Sequence, residues 1–276
     1  MTLALGLLST SGIFYSFSFL FHLLSFFSLY LKGNRAAFAF MRAGFLLATL
    51  YLVAEAIDRG FFLPVVNFSQ AIAFIAWALA FVYLVLLVRL QNESFGLIVS
   101  PILLLLTLVA MVKKWGGTEG VTLNPVFHNP YFALHIFTAF FAYASFALSF
   151  AAGVLYLIQY RELKAKHPGE FYRKLPSLEE LERLIYQPLL WGVPLLLTAL
   201  LIGFVWSKAA YGEFWILDPK TVATGISLAL YFVVLYLHYV SSLRGKQVAL
   251  LSLLAFAFVV ASFVGTRFMQ GAHNHL

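Results

Sequence analysis

Cysteine is absent from the sequence. That excludes disulfides, thiol redox chemistry, cysteine-linked prosthetic groups and zinc–thiolate centres. Any metal must then be held by His, Met, carboxylate or Tyr. Charge is scarce as well: 11% of the 276 residues are charged and 62% are hydrophobic. No soluble core needs so much apolar surface. No polar stretch is long enough to fold as a separate soluble module, so residues 1–276 are expected to form one polytopic membrane domain. The opening "MTLALGLLST" has no Lys or Arg, and its apolar run continues to Leu31. Such a run is too long for a signal-peptide core and long enough to span. No basic segment is long or interleaved with exposed aromatics, so nucleic acid is not an expected partner. The formal charge of +7 suits loops that face anionic lipid.

What is present is run after run of about 20 apolar residues, the length of a membrane span. The pattern predicts an all-α membrane bundle of eight helices, at 3–31, 36–57, 68–90, 95–113, 130–160, 184–207, 219–241 and 247–266. One set of loops and flanks collects twelve Lys and Arg, among them Arg35, Arg161, Lys164, Arg173 and Lys174; the other collects six, including Lys113, Lys208, Lys220 and Arg267. The richer set is expected to face the cytoplasm. Both termini then lie outside, in the plasma membrane of a prokaryote, with the segment "YGEFWILDPKT" (211–221) on the extracytoplasmic side. "NPYF" and "DPKT" open the fifth and seventh helices, with Asn129 and Asp218 as caps and Pro at the first helical position. "PSLEELERL" carries a capping box at Ser177 and Glu180 and predicts a short interfacial helix before the sixth span.

Ionisable groups at membrane depth are candidates for function. His128 and His135 flank the outer start of the fifth helix, and His273 and His275 lie past the outer end of the eighth. Two imidazoles on opposite sides of a flat macrocycle are what six-coordinate heme iron requires. Trp206, Tyr211, Phe214 and Trp215 offer aromatic walls, and Lys208, Lys220 and Arg267 offer cations for propionates. Each feature also has a plainer role. Interfacial Trp and Tyr form ordinary belts, a lone His such as His167 is ordinarily a bonded surface group, and the Asp-Pro is a helix start. His22, in the first helix, and His238, near the inner end of the seventh, offer either a second heme site or two structurally bonded histidines. Glu55 and Asp58, at the outer end of the second helix, are expected to be solvated helix-end carboxylates.

The order of these features resembles the tryptophan-rich (WWD) family of cytochrome c assembly proteins, the CcsA/ResC/CcmC type. The segments that carry the resemblance are "LHIFTAFFAYASFALSFAAGVLYLIQYRELK", "GFVWSKAAYGEFWILDPKT", "YLHY" and a His-bearing tail. The family's tryptophan-rich motif keeps Trp215 and Asp218-Pro219-Lys220 here, while Tyr211, Phe214 and Leu217 replace tryptophans and Thr221 replaces a Glu. "AEAIDRGFFLPVVNFSQAIAFIAWALAFVYLV" and "LPSLEELERLIYQPLLWGVPLLLTALLIGFVW" are similar to a shorter branch, the HemX/YpjD-like proteins.

The resemblance implies noncovalent heme b at the extracytoplasmic face, with His135 and His273 as axial ligands and His275 competing with His273. It places His238 in the membrane channel, where its partner elsewhere belongs to a CcsB-like subunit. It implies either a heme carrier acting on apocytochrome c, with no catalytic nucleophile of its own, or a HemX-like regulator of glutamyl-tRNA reductase. A transporter of another small molecule fits the topology and leaves the aromatic mouth unexplained.

Overall fold

The computed structural model describes residues 3–27, 33–60, 62–90, 95–115, 129–165, 175–214, 218–240 and 245–273, with backbone alone at 87–90 and 263–273. Regular structure in the described residues is entirely helical. The helices are α1 (Leu3–Phe26), α2 (Gly33–Arg59), α3 (Phe68–Leu90), α4 (Gly96–Trp115), α5 (Pro130–Lys164), α6 (Leu178–Tyr211), α7 (Pro219–Val240) and α8 (Lys246–His273). Seven are long and apolar enough to cross a membrane; the described apolar stretch of α8, Lys246–Ser262, is shorter. The expected end of the first helix, at residue 31, falls outside the described residues.

The expected break before the sixth span is absent. Ser177 caps the helix, its hydroxyl accepting from the Glu180 N–H, and the chain then continues as one helix to Tyr211 despite Pro188 and Pro194. Each proline removes one backbone hydrogen bond. In a membrane helix the carbonyl left without its N–H partner is re-satisfied by neighbouring groups, and α6 runs unbroken through both positions. At 1.5 Å per residue, α6 is about 50 Å long, well beyond a hydrocarbon core of about 30 Å. Its polar first turns therefore project from the apolar span as part of the same rod.

The fold divides into two compact units, Met1–Ala133 and Leu134–Leu276. The first is organised by a seam of alternating three- and four-residue steps. α1 buries Ala4, Leu8, Ser11, Tyr15, Ser18 and His22, α2 buries Ala37, Met41, Gly44, Ala48, Tyr51 and Glu55, and α4 buries Gly96, Ser100, Leu103, Thr107 and Ala110. This is the spacing of left-handed helix packing. Lipid is as apolar as the side chains, so helices in a bilayer associate by close packing and interhelical hydrogen bonds rather than by hydrophobic burial. Gly44 shows both. A Cβ there would come within 2.8 Å of the Tyr15 ring, and its carbonyl accepts from Ser11 Oγ at 3.0 Å. Trp77 Nε1 donates to Thr49 Oγ1 at 2.8 Å, joining α3 to α2. Ser69 Oγ donates to the Ala110 carbonyl at 2.8 Å, joining α3 to α4. Leu46, Leu50, Val53 and Ile57 cover the exposed side of α2, the side suited to lipid.

In the second unit, α5 carries small residues inward: Ala139, Ala142, Ala144, Ala151 and Ala152 are all buried. Gly192 of α6 lets the Phe146 ring reach the helix backbone, and Phe146 stacks on Tyr231 of α7 with centroids 3.8 Å apart and 15° between planes. Ser149 and Ser252 share a 2.7 Å hydrogen bond between α5 and α8. α7 presents Phe232, Tyr236 and Tyr239 outward.

Candidate functional site

The helix ends around the expected mouth form as their residues dictate. Asn129 Oδ1 accepts from the Tyr131 N–H at 2.9 Å, capping α5 ahead of Pro130. α6 stops at Tyr211 because Gly212 takes a left-handed conformation (φ 79°) and its N–H bonds the Lys208 carbonyl; a side chain is disfavoured at such a φ. Asp218 Oδ2 then accepts from the Lys220 N–H at 2.9 Å and starts α7 at Pro219. The stop and restart within "YGEFWILDPKT" is thus a glycine C-cap followed by an Asp N-cap.

His135 lies in α5 just past this mouth, half-buried against α6. Its Nδ1 is 2.7 Å from the Ala199 carbonyl oxygen. A carbonyl can only accept, so Nδ1 carries the proton and Nε2 keeps its lone pair. A fixed Nδ1–H bond is the support that metal-ligating histidines ordinarily have. The ring can approach because residue 203 is glycine: a Cβ there would come within 2.9 Å of His135 Cε1 and Nδ1. Trp206, one turn further on α6, lies within 10° of parallel to the imidazole with centroids 6.3 Å apart. Tyr211 stands edge-on to Trp206 at 5.8 Å and 87°. Lys208 Nζ sits 4.7 Å from the centre of the Phe214 ring, a cation–π pair. Tyr211, Phe214 and Lys220 are exposed and Trp206 is half-buried.

Of the expected site residues, the structure brings together His135, Trp206 and Tyr211, and separately pairs Lys208 with Phe214. Trp215, His128, His167 and His275 lie outside the described residues. His273 closes α8, with its side chain outside that description. Among the described residues, no three His, Cys, Asp or Glu side chains converge as for a bare metal ion; a planar macrocycle needs only axial donors, and His135 Nε2 has the chemistry of one.

His22 belongs to the first unit and His238 to the second. His22 is 2% exposed and meets Phe38 edge-on at 5.3 Å. It lies so close to the α4 backbone that a Cβ at Gly96 would overlap its ring. His238 stacks on Tyr186 of α6 at 4.0 Å and 29°, and its Nδ1 is 4.0 Å from Glu182 Oε1.

Glu55 overturns the expectation for it. It is 3% exposed, closing the α2 seam, while Asp58 is exposed as expected. Its carboxylate pairs with Lys114 of α4, with Arg59 at 3.3 Å and with the Gln70 amide at 2.7 Å. Lys114 also lies 5.2 Å from the Tyr51 ring centre. Two facts in the sequence foreshadow this pairing: Glu55 continues the step 37–41–44–48–51–55, and Lys114 continues 96–100–103–107–110. Both are hidden by the surrounding uniform apolarity. Glu182 is likewise inconspicuous in sequence, because it stands in a stretch that reads as a solvated helix start.

The family model described as "Cytochrome C assembly protein" matches residues 65–273. The chain is similar to the proteins named HemX of Brevibacillus brevis, 29% identical over 251 residues covering 91% of each chain, and of Bacillus subtilis (strain 168), 27% identical over 91% of this chain and 90% of that one. It is also similar to the cytochrome c biogenesis protein CcsA of Guillardia theta, 25% identical over 82% of this chain and 81% of that protein.

Proposed function

The chain belongs to the cytochrome c assembly protein family, and from that premise we propose that it is a multi-pass membrane protein that holds heme b noncovalently at the extracytoplasmic face. His135 would supply one imidazole to the iron, and the tail His273, or its neighbour His275, the other. The observation that carries the reading is the Nδ1–H bond from His135 to the Ala199 carbonyl. It orients the ring and reserves Nε2 for iron. Gly203 makes room for that ring. Trp206, within 10° of parallel to the imidazole, would steady the plane of the His135 ring. Tyr211, Phe214 and Trp215 remain as walls, Lys220 as a partner for a propionate, and Asp218 as the cap that fixes where α7 begins.

Bound heme would supply vinyl groups for thioether formation with an apocytochrome. This chain has no cysteine, so both thiols come from the partner, and its own residues bind, orient and exclude water. A CcsB-like subunit is the expected companion. One observation favours a second reading, a regulatory membrane protein acting on glutamyl-tRNA reductase. The chain matches the two relatives named HemX over at least 90% of their length.

Absorption spectra of the detergent-purified protein, oxidised and reduced, separate the two. The heme-handling reading expects a low-spin bis-histidine spectrum whose outer-site component is lost in His135→Ala. A wild type that stays heme-free after hemin is added removes the ligand assignment and leaves the regulatory reading.

A further inference from the structure

We propose that Glu182 is the positioning residue for His238, keeping the proton on Nδ1 and leaving Nε2 as the donor for the iron of a second heme. This rests on the heme-handling reading. Glu182 and Tyr186 lie one turn apart on α6 and so share a face. Tyr186 covers the His238 ring from one side, and Tyr239 meets it edge-on at 5.1 Å and 77°. The ring is thereby pinned in its plane. Its Nδ1 is buried with no hydrogen bond and faces Glu182 Oε1 at 4.0 Å, the two side chains being 11% and 18% exposed. That distance exceeds a direct hydrogen bond. It is one that a modest side-chain shift closes. An ionised carboxylate only accepts, so it selects the tautomer with the proton on Nδ1. The ring's other nitrogen then points away from Glu182 with its lone pair free, in the carboxylate–histidine arrangement that supports metal-bound imidazoles.

The test has two arms. In heme-free, full-length protein labelled with 15N-histidine, His238 (assigned by its absence in His238→Ala) should show its proton on Nδ1. In Glu182→Leu the proton should move to Nε2, while Glu182→Gln, which keeps the volume and an acceptor oxygen, should retain most of the Nδ1–H form. A wild-type proton on Nε2, or a tautomer unchanged in Glu182→Leu, overturns the proposal. In the second arm, hemin is titrated into His135→Ala protein, whose outer ligand is gone. Residual binding should vanish when His238→Ala is added and weaken roughly tenfold with Glu182→Leu, the usual effect of losing a supporting partner. No residual binding, or binding indifferent to either change, overturns it. If His135→Ala instead keeps the complete wild-type spectrum, the outer-site reading fails while the tautomer result still decides the role of Glu182.

Discussion

Both halves of the molecule hold ionisable side chains against a neighbouring helix near helix ends, one buried and one half-buried, and they satisfy them differently. In the first unit Glu55 is closed on every side: Lys114, Arg59 and Gln70 occupy its carboxylate. In the second, His135 is held by one nitrogen only, with Nδ1 on the Ala199 carbonyl and the other lone pair uncommitted. A closed group ties helices together. A group held on one side is prepared for something else. Burial alone therefore does not mark a site in a membrane protein; the proposed heme site rests on the lone pair that His135 keeps uncommitted.

The comparison breaks most sharply by substitution. Glu55→Ala leaves Lys114 without its buried partner and should destabilise the first unit by about 3–5 kcal/mol, the usual loss when one member of a buried pair is removed. Thermal unfolding in detergent would show it, and adding Lys114→Met should recover part of the loss. Bound heme per folded protein should stay at the wild-type level. His135→Ala should do the reverse, removing the outer heme while changing stability by about 1 kcal/mol, one hydrogen bond's worth. If Glu55→Ala empties the heme and leaves the melting temperature alone, the contrast between the two units is wrong.

A smaller effect sharpens the same point. Gly203→Ala places a methyl group against the His135 ring and should displace it from the Ala199 carbonyl. Hemin affinity should fall roughly tenfold, about 1.4 kcal/mol, in a titration of purified protein. An unchanged affinity would mean that the ring position is not set by Gly203. The smallest effect is expected at the helix stop. Gly212→Ala forces a side chain into a left-handed turn and should cost about 1 kcal/mol, measured as a lower unfolding midpoint with the heme spectrum intact.

Much of this was legible in the residues. Helix count and the caps at Asn129, Ser177 and Asp218 follow from apolar run length and short-range hydrogen-bond chemistry, which act within a few residues of themselves. The two prolines of α6 look like punctuation in sequence, yet the helix passes through them, because a proline in a membrane helix forfeits one bond that nearby groups replace. Glu55 departs from its sequence expectation for the opposite reason. Its local setting is a helix end, and the cation that buries it lies two helices away.

The sequence by itself determined that this is a helical membrane protein without cysteine chemistry, where most of its helices begin and end, and which histidines to watch. Only the tertiary structure decided which of those groups are closed and which remain open: Glu55 against Lys114, His135 against Ala199, His238 against Glu182. Each pair joins different helices. In a chain whose apolar background is nearly continuous, local periodicity carries almost no record of which helix faces which, and that choice rests on small residues, such as Gly44, Gly96 and Gly203, that admit a ring from a neighbouring helix.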